Sequence, residues 1–279
     1  MQFVGKTILI TGGAGDIGFA VARRFAAEGA TILLSDLDAR KVLQRADQLN
    51  VELQQAARSD SNSEMSIATR QAVHAYVTDV CSAGAVADMV REIEADNLTI
   101  DMLFNNAGYQ GLFKKTFEYP VDDYAKVIST NLIGAFHVLH YVSEHMVRNR
   151  GGAIVNTASM AGVDGPPNMI AYGSSKFGVI GLTGSAAKDL APYNIRVNAI
   201  SPAFMGPGFM WDRQVDLQAE ADSQYFDRDP KVVAKQMIGA VPMRRYGSID
   251  EIPGTVVYLM SSEASYVTGV NIPISGGIR

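Results

Sequence analysis

Lys6-Thr-Ile-Leu-Ile-Thr11 runs directly into Gly12-Gly-Ala-Gly15-Asp16-Ile-Gly18, and this stretch decides how the chain is read. Its first part is a short apolar, β-branched run of the kind that forms a buried strand. Its second part is rich in glycine, and the following FAVARRFAAEG has helical spacing. Glycine lets a backbone turn tightly and come close to a pyrophosphate, while a helix N-terminus stabilises negative charge. A glycine turn carries this meaning only between a strand and a helix, and that is where this one lies. Gly12, Gly15, Asp16, Ile17 and Gly18 are therefore candidate phosphate-binding positions.

Outward from the turn, a second strand candidate (31–35) ends at Asp36, eighteen residues past Gly18. A carboxylate there is placed to accept hydrogen bonds from adenosine ribose hydroxyls and to repel a 2′-phosphate. No Arg or Lys follows until Arg40, so NAD is expected rather than NADP. Further strand candidates at 74–78, 102–105, 153–156, 196–200 and 270–274 alternate with helical patterns at 17–28, 83–96, 121–149, 171–191 and 249–260. Such alternation predicts βαβ crossovers, giving an α/β fold: one doubly wound domain with a central parallel sheet and helices on both faces. Two irregular stretches stand out. A polar insertion spans 54–70, and a segment at 203–241 beyond a strand's carboxyl end has the position of a substrate lid.

Composition narrows the function classes. The 279 residues are 47% hydrophobic and 19% charged, with a net charge of −5. That balance suits a filled core and carries no nucleic-acid footprint. One cysteine, Cys81, cannot form an internal disulfide and fits a reducing compartment. No apolar run has membrane-spanning length, and the first strand begins close to Met1, so a cytoplasmic protein is expected. His137, His140, Glu144 and His145 share one helical pattern, but no cysteine or carboxylate partner is evident elsewhere, so no metal is expected.

Ser159 precedes Tyr172 by thirteen residues, and Tyr172 precedes Lys176 by four. In a helix, Tyr172 and Lys176 lie one turn apart on one face. At about 4 Å and an effective dielectric near 20, opposite charges attract by about 4 kcal/mol. The spacing thus predicts a phenol pulled below its ordinary value of about 10 by the ammonium. Ser159 closes the strand-like GAIVNTAS, so its hydroxyl can meet the phenol at the strand's carboxyl end.

In order, Thr11-Gly-x-x-x-x-x-Gly18, Asn105-Asn-Ala-Gly108, Asn131, Ser159 and Tyr172-x-x-x-Lys176 resemble the short-chain dehydrogenase/reductase family over nearly the whole chain. The resemblance implies a single Rossmann domain over residues 1–279, usually assembled as a homotetramer. It implies Tyr172 as general acid/base, with Lys176 lowering its pKa and holding the nicotinamide ribose. Ser159 would orient the substrate oxygen, and Asn131 would hold a water in a proton relay. Asp79 and Val80 would touch adenine. Asn106, Ala107 and Gly108 would lie beside the cofactor, and Pro202 to Met205 would face the nicotinamide. Asp16 and Ala203 stand where the family usually has glycine.

NNAGYQG, NTASMAGV, GPPNM, LAPYNIRVNAISP and MGPGFMW are similar to stretches of the family's NAD-dependent xylitol (polyol) dehydrogenases. The implied reaction interconverts a polyol with its ketose, and Gln110, Asn168 and Trp211 are candidate polar partners for such a substrate. Two alternatives stay open: a ketoreductase acting on another carbonyl compound, and an NAD-sensing protein without turnover.

Overall fold

The structure is a computed structural model in which residues 1–59 and 73–279 are described. Seven strands form one sheet: β1 (Thr7–Thr11), β2 (Thr31–Asp36), β3 (Val73–Val77), β4 (Met102–Asn105), β5 (Gly152–Thr157), β6 (Ile195–Pro202) and β7 (Asn271–Ile274). Their order is β3-β2-β1-β4-β5-β6-β7, and every pairing is parallel. Parallel strands need crossovers, and these are helical: α1 (Asp16–Ala27), α2 (Ala39–Ser59), α3 (Ala83–Ala95), α4 (Val121–Ile128), α5 (Gly134–Arg148), α6 (Ile170–Leu190) and α9 (Pro253–Met260). Two more helices, α7 (Phe209–Glu220) and α8 (Pro230–Ala240), occupy the segment after β6.

Strand alternation divides the core. Ile8 and Ile10 of β1 pack with Phe19 and Phe25 of α1, Val42 of α2 and Val256 of α9. Leu9 of the same strand faces the other way, toward Val90 and Ile93 of α3, Val138 and Met146 of α5, and Ala187 of α6. Both faces are covered, which is why these strands read as continuous apolar runs. The chain is thus a doubly wound, single Rossmann-like domain, as its sequence pattern predicts. The strand order reverses between β1 and β4, which opens a crevice at the carboxyl ends of these strands.

The carboxyl ends are tied together by buried polar side chains. Thr11 Oγ1 donates to Asn105 Oδ1 at 3.3 Å, and Asn105 Nδ2 donates to Ala135 O at 2.9 Å and Asn156 Oδ1 at 3.1 Å. Asn156 Nδ2 in turn donates to Thr183 Oγ1 of α6 at 3.0 Å. All four side chains are buried, so each bond satisfies a group that burial would otherwise penalise.

Some expected elements take a different form. The single helix expected over 121–149 is α4, a π-helical turn (Ser129–Ile133) and α5. The wide turn accommodates an extra residue, with the Gly134 amide bonded to Ser129 O. Gly134 then docks against Val80, where an added Cβ would sit 2.8 Å from a valine methyl. The helix expected over 249–260 splits into a 3-10 turn (Ile249–Glu251) and α9, with Pro253 at the helix start where its missing N–H costs nothing. Residues 54–59 of the expected polar insertion continue α2, and 60–70 lie outside the described residues. The expected lid, 203–241, contains α7 and α8, joined by a small core of Trp211, Val215, Ala219, Val233 and Met237. No described helix is long and apolar enough to cross a membrane.

Asn156→Ala leaves an Asn105 donor without its acceptor, and stranding one buried donor costs about 1–3 kcal/mol. The variant is expected to unfold at lower denaturant concentration with an unchanged m-value, measured by equilibrium urea titration. An unchanged midpoint contradicts the network's structural weight.

Candidate active site

The cleft at the strand-order reversal begins at the glycine turn. Gly12 adopts φ +63° and approaches the backbone of Ala107, where an added Cβ would meet Ala107 Cα at 3.0 Å. Gly18 packs on Gly12, with an added Cβ only 2.3 Å from Gly12 O. Helix α1 starts at Asp16 with Gly15 as its N-cap and no side-chain cap, so its first amides are left for an anion. Asp36 ends β2, and its carboxylate accepts from Ala14 N at 3.1 Å and Asp38 N at 3.2 Å. That pins an acidic acceptor at one end of the cleft. Asp16 leans toward α2, where Arg45 Nη2 approaches its Oδ1 at 3.5 Å while stacking on Phe19 at 4.3 Å. The one carboxylate in the glycine turn is thereby paired with a cation.

From the turn, a chain of hydrogen bonds leads to the lysine. Thr11 Oγ1 accepts from the amides of Asn106 (2.9 Å) and Ala107 (3.1 Å). Asn106 Nδ2 donates to Thr11 O and Gly12 O, and its Oδ1 accepts from Thr157 Oγ1 at 3.1 Å. Thr157 O then accepts from Lys176 Nζ at 2.7 Å. Lys176 is buried, and desolvation pushes its ammonium down to about 8.

Tyr172 projects from the first turn of α6, half-buried against the cluster of Phe113, Met169 and Ala221. Lys176 Nζ lies 5.6 Å from its ring centroid. Ser159 Oγ caps the 3-10 turn Met160–Gly162 by accepting from Ala161 N at 3.1 Å, and Gly162 lets that turn touch α6. An added Cβ at Gly162 would meet Lys176 C at 2.5 Å. The phenol itself corrects the sequence expectation. Burial pushes Tyr172 above its ordinary value, with a hydrogen bond from Ser159 acting in the opposite direction. The Lys176 ammonium is held on Thr157 O, 5.6 Å from the ring centroid, and does not offset that burial.

Asn131, buried within the π-helical turn, is bound on both sides of its amide. Its Oδ1 accepts from Tyr109 N at 2.7 Å, and its Nδ2 donates to Tyr109 O at 2.8 Å and Ser175 Oγ at 3.0 Å. The Tyr109 hydroxyl donates to Asp123 at 3.0 Å, as does that of Tyr119 at 2.7 Å. The loop after β4 is thus clamped at Tyr109, beside Gln110.

One cavity of about 250 Å³ is lined by Gly12, Asp36, Gly108, Tyr172, Lys176 and Trp211 among others. A second, of about 410 Å³, extends past Ser159 and Tyr172 under the lid. Ile17, Gln110, Thr157, Tyr172, Met205 and Met210 line both. The structure therefore gathers Ser159, Tyr172 and Lys176 with Gly12, Gly15, Asp16, Ile17, Asp36, Asn106, Gly108, Gln110, Pro202, Met205 and Trp211 around one crevice. Gly18 and Ala107 support the turn from behind.

Other expected positions lie outside the lining. Asp79 follows β3, with Oδ1 accepting from Cys81 N at 2.9 Å, and Val80 packs under Gly134. Asn168 has φ +67°, which turns its amide toward the lid, where it donates to Gln218 Oε1 at 2.8 Å and Ser223 Oγ at 3.0 Å. It anchors the lid and does not line either cavity. Sequence reasoning missed Thr157, Tyr109, Asp123 and Arg213. Thr157 is two residues before Ser159 in a strand already identified, and that was the available signal. Arg213 had none, since it is one cation among several on an amphipathic lid segment.

The residues present fit a dinucleotide: a glycine cradle that a Cβ would fill, an uncapped helix N-terminus and an acidic acceptor at the end of β2 lie on one path to Tyr172. Comparison with known proteins agrees with this geometry. Residues 12–279 match the family described as enoyl-(acyl carrier protein) reductase. A solved structure of NAD+-bound xylitol dehydrogenase is 53% identical, covering 99% of this chain and 100% of that one, with a TM-score of 0.92. Levodione reductase of Leifsonia aquatica is 34% identical over 99% of this chain and 95% of its own length. A 3-oxoacyl-(acyl-carrier-protein) reductase of Thermotoga maritima is 32% identical over 100% of this chain and 99% of its own.

The buried lysine makes stability depend on pH. With its folded value lowered to about 8 from 10.5, the native state binds fewer protons than the unfolded chain between those values, so stability rises with pH across that window. Lys176→Met removes the penalty. Its stability relative to wild type is expected to be most favourable below pH 8 and to decline toward pH 10.5, measured by melting curves in a pH series. A difference that is flat with pH contradicts the desolvated lysine.

Proposed function

The chain belongs to the short-chain dehydrogenase/reductase family of oxidoreductases, and on that basis we propose that it interconverts a sugar alcohol and its ketose, of the xylitol/D-xylulose type, using NAD. The observation that carries the reading is the continuity of the crevice, from the glycine turn and Asp36 to Tyr172, Lys176 and Ser159, with shared walls leading under the lid. The similarity to a NAD+-bound xylitol dehydrogenase supports the substrate class.

NAD, when bound, takes up or returns the hydride. Gly12, Gly15, Ile17 and the first amides of α1 would hold its phosphates, with Asp16 balanced by Arg45. Asp36 would accept from the adenosine ribose, Asp79 and Val80 would approach adenine, and Lys176 would donate to the nicotinamide ribose. In the oxidative direction Tyr172 removes the proton from the substrate hydroxyl, while Ser159 donates to the oxygen as negative charge builds there. Ionising Tyr172 is costly in the buried, cofactor-free site, so its proton leaves readily only when positive charge is brought beside it. Lys176 contributes such charge, and activity in this direction rises with pH. Asn131, its side-chain amide held by Tyr109 and Ser175, would hold a water in a proton relay beyond Lys176. The working assembly is expected to be a homotetramer in the cytoplasm.

A second reading, a ketoreductase for a bulkier carbonyl compound, is favoured by one observation: the cavity under the lid is walled by Met160, Met169, Met205, Met237, Phe204 and Phe226. Nicotinamide reduction measured at 340 nm with xylitol, sorbitol, galactitol and simple secondary alcohols, with NAD and NADP in parallel, separates the two. Tyr172→Phe is expected to lose about 10²–10⁴-fold in kcat, the range typical of an acid/base group, with NAD binding by calorimetry nearly unchanged. Near-normal turnover in that variant sinks the assignment.

A further inference from the structure

Arg213 of α7 reaches out of the lid and bonds the loop after β4 twice: Nη1 donates to Gln110 Oε1 at 2.8 Å and Nη2 donates to Gly111 O at 2.8 Å. A guanidinium can only donate, so it dictates the orientation of the Gln110 amide: oxygen toward Arg213, NH2 away from it. Gln110 is buried, lines both cavities, and its Nε2 meets no acceptor among the described residues. Yet Nε2 is not sealed off. Among the described residues the one fully enclosed side-chain polar atom without a partner is Ser35 Oγ. Nε2 therefore keeps some exposure, and Gln110 lines the crevice together with Tyr172. Gln218, also on α7, repeats the arrangement, with its Oε1 held by Asn168 and its side chain lining the same cavity.

We propose that Arg213 is a positioning residue that turns the Gln110 NH2 into a fixed donor for a second oxygen of the substrate, the hydroxyl next to the reacting carbon. This rests on the polyol reading and deepens it. A substrate with oxygens on neighbouring carbons finds Ser159 and Tyr172 at one oxygen and the Gln110 donor at the next. Because Arg213 also holds Gly111 O, the same side chain couples lid position to donor position, so the donor is in place only when α7 is seated. A missing donor for a buried hydroxyl weakens binding of the substrate without touching the cofactor's own contacts.

The test is steady-state kinetics on the full chain for wild type, Arg213→Ala, Arg213→Lys, Gln110→Ala and the Arg213→Ala/Gln110→Ala double variant, with thermal melts run alongside. Expected is a rise of tenfold or more in KM for the polyol in both alanine variants, with KM for NAD within about twofold of wild type. The double variant is expected to lose less than the product of the two single losses, because part of what Arg213 does passes through Gln110. Arg213→Lys should fall between, since an ammonium lacks the planar fork that spans both acceptors. A polyol KM within twofold of wild type in Arg213→Ala, or losses that add in the double variant, overturns the assignment. A wild type that turns over no polyol refutes the functional reading instead. The Arg213 assignment is then judged by the same KM comparison on the alcohol or ketone that the wild type does use.

Discussion

The hydroxyl of Thr11 is the joint on which the site turns. It stands at the last residue of β1, where strand order reverses, donates to Asn105 and accepts from two amides of the segment that follows β4. Parallel strands end in unpaired backbone groups, and a crevice at their carboxyl ends would expose or strand them. Here the amides of Asn106 and Ala107 are bonded to the Thr11 hydroxyl, the carbonyls of Thr11 and Gly12 to the Asn106 amide, and that of Thr157 to Lys176. The segment beside the glycine turn is thus held by the same side chains that orient Lys176. The glycine turn after β1, Ser159 after β5, and Tyr172 and Lys176 on α6 thus surround one crevice.

Burial has opposite effects on the two titratable groups of α6 in this crevice. It lowers Lys176 and raises Tyr172, in each case by penalising the charged form. With Lys176 at about 8, its ammonium still persists at neutral pH while the phenol keeps its proton.

Much of this was legible in the sequence, for physical reasons that can be named. The glycine turn was readable because only glycine survives the approaches at positions 12 and 18, and the strands because burial on both faces demands unbroken apolar runs. The Tyr172–Lys176 spacing was readable because one helical turn fixes it. The depressed phenol was not, since spacing cannot show how far the phenol is buried. The bonds of Asn168 to Gln218 and Ser223 of the lid cannot be read from its spacing, since they depend on how α7 folds back over the strand ends. The break in the helix around Asn131 left no mark in the apolar pattern, and Arg213 acquires meaning only once α7 is folded over the loop after β4.

The central claim is that a hydride leaves the substrate carbon for the cofactor as Tyr172 takes the proton from the hydroxyl on that carbon. It is tested most directly with a polyol carrying deuterium on the carbon to be oxidised, followed by mass analysis of the reduced nicotinamide. Deuterium recovered in the reduced cofactor, in proportion to ketose formed, is the predicted result. Ketose formed without label in the cofactor, or no transfer from any alcohol tested, would contradict the account.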